Sequence, residues 1–383
     1  MAESLASSLK GLSLQDHGTE WEINCKRFQH VHPSQFSPQP LPFFTDVKEL
    51  GGLTQKLDEE KFVLDSCEGL AHLKDDVSRF VKDGDRSCIS NYLGHDMLEN
   101  YETYSPVSPD QLEDMRGVKQ FIDHRYSVKK NRSKFTIVCS RHNMIDLIMA
   151  PFSDQDVHLN AINHDSYLYL FPDKQSGDEL GGIHSDDSRI RKICYTGFEL
   201  EHLVTKAKDP SVSSAFYSIV CGQIDDGLEC LFKAEMDAVE PSSSTYTEIK
   251  CSTGLKTNSS YNRRKMLRMW VQTSLIPSTT LLFGLRDPYY NQLASFERYT
   301  RTQLYRKFNN SNLKFSPQKY NYNANISVQW FRHIFKAIQR LVEAHLPPDT
   351  PDARLHTSFK LTLTKSLVLK LQKLNKMPPN TVF

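Results

Sequence analysis

The stretch LFKAEMDAVEPSSSTYTEIKCS, residues 231–252, constrains the fold more than any other part of the 383-residue chain. In an extended strand successive side chains point to opposite faces, so residues two apart share one. Glu235 and Asp237 therefore fall on one face, with Ala234, Met236 and Ala238 on the other. Beyond a Pro-Ser-Ser-Ser turn signal, Glu248 and Lys250 share a face, with Ile249 and Cys251 behind them. The apolar backs demand a covering layer, and the acidic fronts have no place in a plain core. If the two strands pair, three carboxylates and one ammonium converge, and such carboxylates repel unless a divalent cation sits among them. Oxygen-only ligation suits Mg²⁺ or Mn²⁺ rather than zinc.

A cation held there suits phosphodiester hydrolysis. The substrate is already anionic, so the reaction needs neutralised charge, an activated water and a stabilised leaving oxygen, and one or two cations supply all three. Lys250 would orient the water or offset developing charge. Either half of the pattern alone also fits a solvated sheet face, where alternating charges are ordinary. Both halves on consecutive strands, each backed by apolar residues, set the two readings level, and the helices that carry Glu201 and Lys265, Arg268 and Gln272 tip the balance toward a site. An acidic-x-acidic pair followed by acidic-x-Lys resembles the restriction-type nuclease superfamily.

Further β-prone runs lie at 135–140, 166–171, 214–224 and 279–285, and a strand-like FKLTLTKSLVLKL follows near the end. Helical periodicity marks about 187–207, 261–275 and 326–345; in the last, Ile326, Trp330, Ile334, Ile338, Leu341 and Val342 form an apolar stripe. Polar loops are expected at 172–187 and 308–325. With no internal repeat, the chain reads as one α/β (α+β) domain of mixed β-sheets flanked by helices, around a restriction-nuclease-like metal core. That domain is expected over 26–375, after a Ser-rich disordered segment at 1–25 and before a tail at 376–383, with order beginning near 40–51. In the 261–276 helix Lys265, Arg268 and Gln272 share one face and would present basic and amide groups to phosphates. An ordinary exposed face is the alternative. Glu201 lies in the mostly apolar YTGFELEHLV, where an inward carboxylate needs a partner such as a metal, although taken by itself it reads more simply as a half-exposed helix charge.

Net charge is +1, from 47 basic and 46 acidic residues, which excludes coating nucleic acid by bulk electrostatics but not gripping one strand end in a groove. Eight cysteines stand far apart with no C-x-x-C pair, so a reducing compartment is expected rather than zinc or disulfide frameworks. Neither a secretory leader nor a membrane span is expected. No G-x-S-x-G, P-loop, G-x-G-x-x-G or H-E-x-x-H occurs, and the fourteen histidines are scattered.

The ordered motifs PFFTDVKELG, IVCSRHNMIDLIMAPFS, YTGFELEHLV, AEMD, TEIK, KMLRMWVQTSL and FGLRDP resemble the eukaryotic decapping exoribonuclease family over most of 42–340. The resemblance implies Glu201, Asp237 and Glu248 as ligands of Mg²⁺ or Mn²⁺, in a two-ion centre, with the Ile249 carbonyl adding an oxygen. Glu235 would bind metal partly through water and touch substrate; Lys250 and Gln272 would contact the scissile phosphate. Arg141 would hold RNA phosphates, flanked by Ser140 and His142 where vertebrate members carry an aromatic and a glycine. Glu113 and Tyr217 would line the substrate channel, and Lys61 matches another basic position there. The implied activity is hydrolysis at RNA 5′ ends: decapping of incompletely methylated caps, pyrophosphate release from triphosphates, NAD-cap removal and 5′→3′ degradation. A monomer is expected, in the nucleus and also the cytoplasm, with a 5′→3′ exoribonuclease as partner after the fungal relatives. Two rivals are a catalytically weak RNA-binding scaffold of the same fold and a DNA nuclease of the same superfamily.

Overall fold

A computed structural model describes residues 14–16, 20–25, 39–126, 134–164, 167–173, 181–206, 214–255, 260–309, 324–346 and 357–378. In chain order its strands are β1 (Leu14–Asp16), β2 (Glu20–Asn24), β3 (Asp46–Lys56), β4 (Lys61–Leu64), β5 (His72–Leu73), β6 (Phe135–Ser140), β7 (Val157–His164), β8 (Tyr167–Pro172) and β9 (Thr205–Lys206). They continue with β10 (Ser214–Asp225), β11 (Leu228–Glu235), β12 (Ala238–Val239), β13 (Tyr246–Ser252), β14 (Thr279–Arg286), β15 (Leu293–Thr300), β16 (Thr357–Leu363) and β17 (Val368–Leu374). The helices are α1 (Asp75–Asp83), α2 (Pro109–Glu113), α3 (Arg116–Tyr126), α4 (Arg141–Met149), α5 (Ser188–Val204), α6 (Ser260–Ser274), α7 (Arg301–Phe308) and α8 (Asn325–Glu343).

Among the described residues the strands form two mixed sheets. One has eleven strands in the order β1-β2-β17-β16-β7-β8-β6-β11-β10-β3-β4, the other six in the order β15-β14-β13-β12-β5-β9. The fold class read from the sequence holds. The long β10–β11 hairpin forms because an Asp-Gly turn separates two β-rich runs, and the Asp225 carboxylate accepts from Gly227 N at 3.0 Å. Around its strands lies a core continuous with α4, α6 and α8. The α8 stripe is buried as its spacing predicts, and Trp330 Nε1 donates to Leu147 O of α4 at 2.8 Å. Phe331 of α8 meets Phe43 and Phe44 edge-on at 5.5 and 5.3 Å, so the PFF segment is a core anchor.

Two segments differ from the sequence reading. Within 1–25, expected to be disordered, β1 and β2 are strands, and Trp21, Ile23 and Cys25 are buried, because β2 pairs antiparallel with β17. FKLTLTKSLVLKL is a hairpin rather than one strand, turning at residues 364–367. The tail expected at 376–383 and the loops at 172–187 and 308–325 lie partly outside the described residues. All eight cysteines are free, and no described helix is long and apolar enough to cross a membrane.

The backbone at Gly69 passes so close to β10 that a Cβ there would sit 2.7 Å from the Ala215 carbonyl carbon and oxygen. Backbone cannot move as a side-chain tip can, so Gly69→Ala is expected to cost about 1–3 kcal/mol, the usual penalty for overpacking. Urea unfolding measures it; an unchanged midpoint would show the loop yields freely.

Candidate active site

The chain crosses from one sheet to the other at the carboxylates. β11 ends at Glu235, opposite Tyr217 of β10, and β12 begins at Ala238, opposite Thr247 of β13. Met236 and Asp237 make the step, Met236 N still donating to Phe216 O at 3.2 Å. The single strand expected over 231–239 is therefore two strands in two sheets. Strand parity brings Glu235 and Asp237 to the same neighbourhood, but the seam between the sheets holds them there.

Asp237 is fastened to β13. Its Oδ2 accepts from Ile249 N at 2.7 Å and from Lys250 Nζ at 3.2 Å. Lys250 Nζ also lies 2.5 Å from Glu248 Oε1. Behind Glu248, which is buried, Arg141 Nη1 approaches Oε2 at 3.0 Å while Nη2 donates to Glu235 O at 2.7 Å. Gln272 Nε2 of α6 donates to Glu248 Oε1. Arg141 arrives because β6 runs parallel to β11 with Ser140 beside Lys233, and the Ser140 hydroxyl caps α4 by accepting from Asn143 N at 3.1 Å.

The charges are under strain. Withdrawal from water and the nearby Asp237 hold the Glu201 carboxyl well above the usual range. Burial and Glu248 push Asp237 up to about 6. Burial also opposes ionisation of Glu248, but Arg141 and Lys250 outweigh it and hold that carboxyl low. Burial disfavours the Lys250 ammonium, yet Asp237, Glu248 and Glu201 keep it charged beyond the usual lysine range. Negative charge thus exceeds what the two cations neutralise, and all the acidic donors are carboxylate oxygens. This donor set fits a divalent metal.

Several expected positions come out differently. Glu248 reaches Lys250, Arg141 and Gln272, but among the described residues these four acids do not form a trio with oxygens within 4.8 Å. The expected convergence is looser, because Lys250 and Arg141 lie between them. Arg141 is buried against Glu248 rather than presented to a strand, since a guanidinium flanked by carboxylates pairs with them. Of the α6 face, Gln272 joins the site, whereas Lys265 Nζ donates to Ser252 Oγ at 3.2 Å and Arg268 pairs with Asp146 at 2.8 Å. His142 is exposed and 3.2 Å from the same Asp146. Lys61 is exposed on β4, the edge strand of the large sheet, with no contact to the carboxylates given by its register.

Two residues that the sequence reading passed over belong to the neighbourhood. Lys233 is buried, and burial pushes its ammonium down to about 8. It donates to Leu112 O at 2.8 Å and Asp114 O at 2.7 Å, bracketing Glu113, and lies 4.6 Å from the centre of the buried Tyr217 ring. Its parity with Glu235 was a usable signal. Tyr104, whose ring meets Tyr195 and Phe198 of α5, is pushed up to about 12 by burial and by the charges of Glu201 and Glu235; a tyrosine in a loop carries no such signal. Histidine was also undervalued: His95, Glu99 and Glu199 bring donor atoms within 4.8 Å of one another. There Glu199 Oε1 lies 2.8 Å from His95 Nε2, and Oε2 accepts from Tyr195 at 2.9 Å, so this buried carboxylate is satisfied by its own neighbours.

Residues 59–382 match the family described as RAI1 like PD-(D/E)XK nuclease. Decapping and exoribonuclease protein 1 of Kluyveromyces lactis is 32% identical over 358 residues, spanning 91% of this chain and 87% of that protein. Its namesake in Saccharomyces cerevisiae is 33% identical over 305 residues, 76% of this chain and 68% of that protein. Among solved structures, K. lactis Dxo1 in complex with manganese superposes with a TM-score of 0.76 at 28% identity, covering 94% of this chain and 99% of that one. A chain with this two-sheet fold, an oxygen-only acidic seam and these relatives belongs to the RAI1-like PD-(D/E)XK nuclease family, that of the decapping exoribonucleases.

Proposed function

We propose that the protein hydrolyses RNA at its 5′ end with Mg²⁺ or Mn²⁺, in a two-ion centre held by Glu201, Glu235, Asp237, Glu248 and the Ile249 carbonyl. The substrates are incompletely capped, triphosphorylated and NAD-capped ends, followed by 5′→3′ degradation. The observation that carries this reading is the surplus of strained carboxylates at the seam, three of them, Glu201, Glu235 and Asp237, held above their ordinary protonation range. Names of relatives support it: two are decapping and exoribonuclease proteins, and the K. lactis structure was solved with manganese.

When bound, divalent cations would neutralise the phosphodiester and lower the pKa of an attacking water. The protein's own groups do the remaining work. Lys250, charged and fixed between Asp237 and Glu248, offsets the negative charge that develops at phosphorus. Gln272, already directed at Glu248, orients that carboxylate and faces the scissile phosphate. Arg141 can exchange Glu248 for an RNA phosphate, since both are bidentate partners of a guanidinium. Ser140 and His142 flank it, and Glu113 and Tyr217, held by Lys233, wall the channel. Lys61 would act only on RNA lying beyond the carboxylates.

Hard oxygen donors predict activity with Mg²⁺ or Mn²⁺ that excess EDTA abolishes. The decisive assay gives the protein linear RNAs with monophosphate, triphosphate, unmethylated-cap and NAD-cap ends beside a circular RNA of the same sequence. Linear RNAs are expected to be shortened from the 5′ end and the circle to survive. Full activity in EDTA would remove the metal, and rapid cutting of the circle would make the protein an endonuclease.

A further inference from the structure

A cavity of about 310 Å³ opens at β15, walled also by the end of α1 and by α7. Among the described residues β15 is the edge strand of the smaller sheet. Alternation turns Arg298 toward α1 and Tyr299 toward the opposite face, and at an edge both can reach the same opening. Register sets Glu297 opposite Phe283 of β14, and Phe283 opposite Lys250 of β13. Two strand spacings, roughly 10 Å, therefore separate Glu297 from the seam lysine.

The charges lining the cavity do not cancel. Lys307 Nζ donates to Glu297 Oε2 at 3.1 Å, and the Tyr299 hydroxyl donates to the same oxygen, so that pair is neutral. Arg298 Nη1 donates to Val81 O at 2.5 Å and Lys82 O at 2.9 Å, capping α1. Carbonyls carry no net charge, so the guanidinium charge remains. Its other edge lies against Gly84, where a Cβ would sit 3.0 Å from Nη2 and 3.3 Å from Nε. Gly84 has a φ of 80°, which glycine adopts freely, and its missing side chain leaves that edge bare. Arg86 is exposed at the start of the 3-10 turn Arg86–Tyr92, with no ion-pair partner among the described residues. The adjacent Asp85 accepts from Ser87 N at 3.0 Å and Ser87 Oγ at 2.6 Å and is not part of the lining. Two guanidinium charges thus line the cavity without a counter-charge.

A phosphate dianion matches them in charge and shape. A phosphomonoester carries about −1.5 to −2 charges near pH 7, and guanidinium forks bind phosphate oxygens in pairs. A carboxylate or an internal RNA phosphodiester brings a single charge. A nucleic-acid strand also needs a bare ring on which to stack a base. Here Phe80 is 2% exposed, and Lys307 lies over the Tyr299 ring, 4.6 Å from its centre. The volume stands at the small end of ligand cavities, which run from about 300 to 1,000 Å³, so it suits a phosphate with a small organic group. We propose that this cavity is a binding site for a phosphate dianion, as a small phosphomonoester or as the free ion, held between Arg86 and Arg298. The site is separate from the seam and does not depend on the chemistry assigned there.

Calorimetric titration of the full chain in EDTA, so that no metal at the seam can hold phosphate, tests the site. Glycerol 3-phosphate, inorganic phosphate and dimethyl phosphate are titrated into wild type, Arg86→Ala, Arg298→Lys and Arg79→Ala, the last an exposed arginine of α1 outside the cavity. Glycerol 3-phosphate is expected to bind wild type at one site, and more weakly below about pH 6, where the ester takes up its second proton. Arg86→Ala should weaken it about tenfold or more, the loss of one charge-assisted contact, and Arg79→Ala should leave it unchanged. Arg298→Lys keeps the charge but loses the fork, and a similar weakening is expected. Should that variant fail to fold because α1 loses its cap, the exposed Arg86 still decides the matter. Tighter binding of the ester than of inorganic phosphate supports an ester as the natural ligand, and the reverse order supports the free ion. Dimethyl phosphate binding as tightly as glycerol 3-phosphate would overturn the proposal, since the second charge would then count for nothing. Wild-type affinity in Arg86→Ala, or no binding by the wild type, overturns it as well.

Discussion

A protein carrying Glu235→Gln and Asp237→Asn is expected to fold normally and to hydrolyse RNA ends about 10³-fold or more slowly. The amide substitutions matter. Asp237 Oδ2 accepts from Ile249 N and Lys250 Nζ, so alanine there would strip an acceptor from a backbone N–H as well as remove a charge. Asparagine keeps an oxygen for that N–H and deletes only the charge. Because Asp237 already sits at about 6 under pressure from burial and Glu248, its neutral isostere relieves repulsion and should not lower the unfolding midpoint. Activity responds in the opposite direction. A metal contributes several kcal/mol of charge stabilisation in the transition state, and each 1.36 kcal/mol is tenfold in rate. Two measurements decide it, single-turnover cleavage and Mn²⁺ titration. Wild-type cleavage in the folded double variant would leave these carboxylates as fold elements and return the seam to structure.

The ease of reading this chain followed the range of the interactions involved. Period-two parity in 231–252 identified Glu235, Asp237, Glu248 and Lys250, since alternation is a property of each strand by itself. Parity could not show that the chain changes sheets between Glu235 and Ala238, because that step is made by β10 pairing on one side and β13 on the other. The α8 stripe was legible for the same local reason, and the helix spans 325–343 against an expected 326–345. β2 was not. Its Trp21–Ile23 alternation is too short to stand alone, and its order comes from β17, nearly the whole chain away. Arg141 shows the limit most clearly at the site. Family resemblance pointed to the residue, but the carboxylate it rests on is 107 positions distant, so its burial against Glu248 is a tertiary fact. Lys233 is the opposite case, a signal present in the strand's parity and passed over.

Lys250→Ala is expected to bind metal and RNA nearly as wild type while single-turnover cleavage falls about 10²–10³-fold, the usual loss on removing a preorganised donor aimed at developing charge. The competing reading makes Lys250 a half-exposed partner of Glu248, and such pairs contribute only about 0–1 kcal/mol. Geometry separates the two. The ammonium lies between Asp237 and Glu248, at 3.2 and 2.5 Å, and three carboxylates hold it charged against burial, so it is fixed among the groups proposed to bind metal. Taking it away leaves those carboxylates with more uncompensated negative charge. That should, if anything, favour a divalent cation, so metal affinity holds while turnover falls. Lys250→Arg is expected to rescue poorly, because a planar fork does not replace a compact ammonium held on two sides by carboxylates. Rate and affinity must be measured on the same preparations, since only their separation identifies the role. Near-wild-type turnover in Lys250→Ala would return this lysine to an ordinary ion pair, and a parallel loss of RNA affinity and rate would make it a binding group rather than one acting in the transition state.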